Sequence, residues 1–85
     1  MYEIFIANTK AEKRLREYIS LRADLREKLD KLKIDPRRNI GAHPLHGRLN
    51  GKGSCWLGSN IRMIYGLDDK NSRIIIEAIG SHKIY

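Results

Sequence analysis

Several things are scarce in this chain, and each scarcity excludes something. There is one cysteine, Cys55, in 85 residues. That excludes an internal disulfide framework and a cysteine-based zinc site. No apolar run approaches the roughly 20 residues that span a bilayer. The opening Met1-Tyr2-Glu3-Ile4-Phe5-Ile6 carries an acid and no small-residue cleavage site, unlike a secretory leader. No glycine-rich phosphate loop or dinucleotide fingerprint is present, which argues against a nucleotide-fuelled enzyme. The expectation is one cytosolic domain spanning 1–85, with a thin core and any reactive groups in a shallow groove.

Acidic residues are also in the minority. Ten Asp and Glu face seventeen Lys and Arg, a net charge of +7. An excess of that size suits a polyanionic partner, and equally suits simple solubility. Eleven of the cations lie between Lys10 and Arg38, among six acids. Spaced as in Glu12 and Arg16, they read first as a solvated helical face.

Residues 2–7 alternate as a strand does, with Tyr2, Ile4 and Ile6 on one side. Thr9-Lys10-Ala11-Glu12 has the capping-box form, predicting a helix from Lys10 with Ala11, Leu15, Tyr18 and Ile19 on one face. Ser20 is the expected cap of a second helix carrying Leu21, Leu25, Leu29 and Leu32 in a stripe, ended by Asp35-Pro36. A short strand is expected within 45–50. Strands follow over 54–58 and 61–67, joined by a Ser59-Asn60 hairpin turn. A last strand is expected over 73–79, central because Ile74, Ile75 and Ile76 are consecutive. The fold class is α+β in two layers. A mostly antiparallel sheet of four or five strands carries an N-terminal helical hairpin on one face and leaves the other open.

The side chains able to do chemistry gather in the second half. Alternation through Ile61-Arg62-Met63-Ile64-Tyr65 sends Ile61, Met63 and Tyr65 toward the helices and Arg62 toward the open face. A guanidinium there suits a phosphate, through its forked donors; the plainer role is an ion pair with Glu77 across the sheet. His82 follows Gly80-Ser81 at the end of the last strand, and a histidine titrates where proton transfer needs it. His43 and His46 flank Pro44 with no Asp, Glu or Cys at metal-ligand spacing, so no metal site is expected. Trp56 and Tyr65 read as core first. Trp56 in the groove would instead stack a base.

Taken together, His43-Pro44-Leu45-His46-Gly47, Cys55, Ile61-Arg62-Met63-Ile64-Tyr65 and Gly80-Ser81-His82 resemble the RelE/ParE toxin superfamily, most of all its YafQ branch. The resemblance covers essentially the whole chain, including the order strand, helix, helix, strands. It implies the toxin of a type II toxin–antitoxin system, an mRNA interferase that cleaves messenger RNA on the ribosome. The 2′-hydroxyl would attack the adjacent phosphate without metal or other cofactor. An acidic antitoxin from a neighbouring gene would neutralise it. By matching motifs, His43 and His82 fall on catalytic histidines, Arg62 on a phosphate-binding arginine, and Tyr85 near the terminal aromatic. Arg48, Lys52, Trp56 and Lys83 complete the expected RNA-contacting set. The chain departs from the branch at Trp56 (a histidine there), Asn60 (an aspartate) and Ala78 (an arginine). Two other readings stay open: a ParE-like gyrase inhibitor, and a degenerate member that only binds its antitoxin.

Overall fold

The computed structural model describes residues 1–45, 51–58 and 60–80. Strand β1 (Glu3–Ile6) leads to helices α1 (Thr9–Leu21) and α2 (Asp24–Ile34). A single 3-10 turn (Asn39–Gly41) precedes β2 (His43–Pro44), β3 (Lys52–Trp56), β4 (Arg62–Asp68) and β5 (Arg73–Gly80). The sheet order is β1-β5-β4-β3-β2. All neighbours are antiparallel except β1 and β5, which run parallel with Glu3 level with Arg73. The α+β class, the helical hairpin and the five-stranded sheet are as the sequence predicts. No helix among the described residues is long and apolar enough to cross a membrane.

The helical layer differs from expectation in its ends. Asn8, not Thr9, caps α1: its side-chain oxygen accepts from the Ala11 N–H at 2.8 Å. Either residue type can cap. Asn8 has a second tie, because its amide donates to the Glu77 carbonyl at 3.0 Å and fixes the helix start against β5. Ser20 caps nothing. It lies inside α1, where its hydroxyl donates to the Glu17 carbonyl, and α2 begins only at Asp24. Leu21 is consequently 79% exposed and outside the stripe. Ala11 and Leu15 from α1 and Leu25, Leu29 and Leu32 from α2 are buried. Each buried leucine contributes about 1.5–3 kcal/mol by leaving water. They pack on Cys55, Met63, Tyr65, Ile74, Ile76 and Ile79.

The strands start and stop slightly off the predicted places. β3 begins at Lys52 rather than residue 54 and ends at Trp56, so the link to β4 is longer than a two-residue turn. Its Leu57 N–H reaches the Ile61 carbonyl at 2.9 Å. The two-residue β2 lies just before the 45–50 segment in which a strand is expected. Leu45 adds one backbone bond to Lys52, and 46–50 lie outside the described residues, as does Ser59 of the expected turn.

One irregularity in β5 controls which side chains face out. Ile64 is level with Ala78 but Tyr65 is level with Ile76, so Glu77 is an extra residue, a β-bulge. The bulge resets the alternation: Ile74 and Ile76 face the helices, and so does Ile79. Without it Ala78 would point inward and Ile79 outward.

Candidate functional site

The sheet face away from the helices carries the reactive groups in rows set by register. Trp56 of β3 is level with Arg62 of β4 and Gly80 of β5. The next row runs His43, Ser54, Ile64, Ala78. A third holds Lys52, Gly66 and Ile75. The face is not bare: Ser54 and Ile64 are 0% and 4% exposed.

Arg62 faces away from the helices, as alternation predicts, while Met63 and Tyr65 join the core. Its guanidinium carbon lies 4.2 Å from the centroid of the Trp56 ring. That is cation–π distance, worth about 0.5–2 kcal/mol according to desolvation. The plainer role foreseen for Arg62, an ion pair with Glu77, goes instead to Lys52. The Lys52 ammonium holds the Glu77 carboxylate across β4. Gly66 lies beneath the pair, where a Cβ would stand 3.1 Å from Glu77 Oε2 and 3.6 Å from Lys52 Nζ.

The 3-10 turn underpins this face. Its Gly41 has φ +70°, and a Cβ there would come within 2.8 Å of Trp56 Cδ1. Glycine is required twice over, by backbone conformation and by the indole. Ile40 next to it has φ 49°, a left-handed geometry that costs a β-branched residue on the order of 1–3 kcal/mol. The turn is tied down by Asn39, whose amide donates to the Lys31 carbonyl at 2.6 Å, and by Ile40 packing on the core.

The same turn orients His43. Its Nδ1 is 3.0 Å from the Gly41 carbonyl. A carbonyl only accepts, so Nδ1 is the donor. In the neutral ring the lone pair then resides on Nε2, the arrangement a general base needs. Ideal strand spacings put the His43 and Arg62 Cα atoms roughly 12 Å apart, a gap that the two side chains can close toward a shared ligand.

A cavity of about 460 Å³ is lined in part by His43 and Pro44 of β2, Lys52 and Gly53 of β3, and Tyr65 and Leu67 of β4. Tyr65 forms its rigid wall. The ring crosses Gly53, where a Cβ would lie 3.0 Å from ring carbons, and the hydroxyl donates to the buried Pro36 carbonyl at 2.6 Å. Burial pushes the Tyr65 hydroxyl well above its ordinary pKa, so it remains a donor. At the outer rim Arg37 grips Asp69 with both nitrogens, at 2.9 and 2.6 Å, and the Tyr2 hydroxyl donates to the same carboxylate. Those bonds hold Asp69 down at a pKa of about 2.

The structure thus brings His43, Lys52, Trp56 and Arg62 onto one face. Arg48, His82, Lys83 and Tyr85 lie outside the described residues. Sequence reasoning missed Gly41 and the bulge at Glu77. A glycine after a β-branched residue is the faint signal for the first, and nothing local marks a bulge.

No protein-family profile matches the chain, and no curated protein matches it by sequence. Solved structures do match in shape. YoeB in the YoeB–YefM complex of Staphylococcus aureus is similar at TM-score 0.74 and 19% identity, covering 96% of this chain and 98% of that one. The toxin–antitoxin complex RelBE2 of Mycobacterium tuberculosis contains a chain at TM-score 0.75 and 23% identity, covering 95% and 98%. YafQ of Escherichia coli gives TM-score 0.67 and 20% identity over 96% and 94%. At such identities the likeness is one of fold, and by fold this chain is built as the RelE/ParE-type toxins YoeB and YafQ are.

Proposed function

We propose that the chain is the toxin of a type II toxin–antitoxin system and cleaves ribosome-bound mRNA in the cytoplasm without a metal ion. The observation that carries the reading is the gathering of an oriented imidazole, His43, and a stacked guanidinium, Arg62, on the helix-free face of a RelE-like fold. RNA carries its own nucleophile, so a protein need only move protons and stabilise charge. His43 Nε2 takes the proton of the 2′-hydroxyl. The 2′-oxygen bonds to the adjacent phosphorus as the bond from phosphorus to the 5′-oxygen breaks. Arg62 balances the charge gathering on the phosphoryl oxygens. His82 returns a proton to the departing 5′-oxygen, leaving a 2′,3′-cyclic phosphate and a 5′-hydroxyl. Tyr85 positions the phosphate. Arg48, Lys52 and Lys83 hold flanking nucleotides. The +7 charge supplies the general attraction to RNA and to an acidic antitoxin.

The test is inducible expression of the chain and of Arg62→Ala, with mRNA 5′ ends and DNA breaks mapped in the same cultures. Cleavage phased to codons on translated messages, lost in Arg62→Ala at an unchanged circular dichroism spectrum, supports the proposal. Gyrase-linked DNA breaks, or no growth defect at all, refute it.

A further inference from the structure

Trp56 is the only tryptophan in the chain, and its indole is held between two groups of different kinds. On one side is Gly41, whose backbone leaves no room for even a methyl group before Cδ1. Over the ring lies the Arg62 guanidinium. An arginine side chain has four rotatable bonds and loses about 2 kcal/mol of rotamer entropy when fixed. Ordering it before a ligand arrives removes that cost from binding. A guanidinium is planar and forked, and its N–H groups meet phosphate oxygens in pairs. The turn that wedges Trp56 also accepts the His43 Nδ1 hydrogen at the Gly41 carbonyl. A single glycine therefore orients both an imidazole and, through the indole, a guanidinium. A merely buried tryptophan would touch only apolar neighbours, and a platform for a nucleobase would present this ring face to solvent.

We propose that Trp56 is a positioning residue: wedged on Gly41, it holds the Arg62 guanidinium ready for the scissile phosphodiester rather than stacking a base itself. The assignment rests on the ribonuclease reading above, and its test separates the two. Trp56→Leu, Trp56→Phe and Arg62→Ala are prepared, with the Leu and Ala changes also combined, and each variant's melting temperature is recorded. Cleavage is measured on ribosomes carrying a defined mRNA. Binding is measured by anisotropy of a labelled nine-nucleotide 2′-O-methyl RNA, which lacks the nucleophile and reports whether or not the chain cleaves.

Trp56→Leu lowers kcat by about tenfold with KM changed less than about threefold, as for a group acting mainly in the transition state. Trp56→Phe, which keeps an aromatic face, restores most of the rate. In the Arg62→Ala background Trp56→Leu adds no further loss, because the two act as one unit. In the free protein Arg62→Ala changes the Trp56 emission. The assignment is overturned if Trp56→Leu keeps the parent rate, if it costs the same with or without Arg62, if its effect is mainly on KM, or if Phe fails to rescue and melting falls in parallel. Should the parent chain cleave nothing, the ribonuclease reading fails. The positioning role is then decided by 2′-O-methyl RNA affinity: a non-additive Trp56–Arg62 loss upholds it, and additive losses refute it.

Discussion

Removing a single oxygen from Tyr65 tests how the wall of the cavity is held. Tyr65→Phe keeps the ring over Gly53 and deletes the hydroxyl that donates to Pro36 at 2.6 Å. Tyr65 is 1% exposed and Pro36 is buried, so the deletion leaves a carbonyl oxygen without that donor and away from bulk water. A typical hydrogen bond contributes only about 0.5–1.5 kcal/mol net, but an orphaned buried acceptor costs about 1–3 kcal/mol. The second figure applies, and the expected loss is about 2 kcal/mol. In a domain of this length 1 kcal/mol moves the melting temperature by about 4–8 °C, so the variant should melt roughly 8–16 °C below the parent. The assay is thermal unfolding followed by far-ultraviolet circular dichroism, with urea titration alongside. The urea midpoint should fall while its slope stays constant, because the area exposed on unfolding hardly changes. A melting temperature within about 2 °C of the parent would refute the reasoning, showing that the Pro36 carbonyl does not depend on this donor.

Two further outcomes are expected from charge and burial. Asp69 titrates at about 2 in the folded chain because Arg37, and then Tyr2, hydrogen-bond its ionised form, against 3.8 ordinarily. The stability this adds is complete above the ordinary value and disappears as pH falls from about 4 to about 2. Asp69→Asn should therefore flatten that part of the stability–pH curve, and an undiminished acid slope in the variant would contradict it. Cys55 is 0% exposed and its thiol is pushed up to about 12 by burial. A disulfide reagent at pH 8 should therefore label the folded chain far more slowly than the urea-unfolded chain, and equal rates would overturn the placement.

What the sequence made legible follows from how local each signal is. The outward aim of Arg62 was readable because Ile61, Met63 and Tyr65 all need the same buried side, and a period of two leaves no other side for the residue between them. The end of α2 was readable because Pro36 restricts the residue before it. The start of α1 was misread by one position, since the choice between Asn8 and Thr9 is made by the Glu77 carbonyl, nearly 70 residues away. Leu21 had the right spacing for the stripe, but the helix it occupies ends beside it and leaves it in solvent. The Glu77 bulge and the Gly41–Trp56 wedge are products of strand pairing, with no local pattern to announce them. His43 stands out in the sequence as a candidate, but the ring nitrogen that carries its proton is set only by the Gly41 carbonyl.

The parallel pairing of β1 with β5 has a consequence for timing. β1 must wait for β5, the last of the described strands, and the two helices have no complete floor to settle on until 73–80 is made. Contacts that span so much of a chain form slowly and late. The sheet bearing His43 and Arg62 is consequently complete only after β5 has been inserted between β1 and β4.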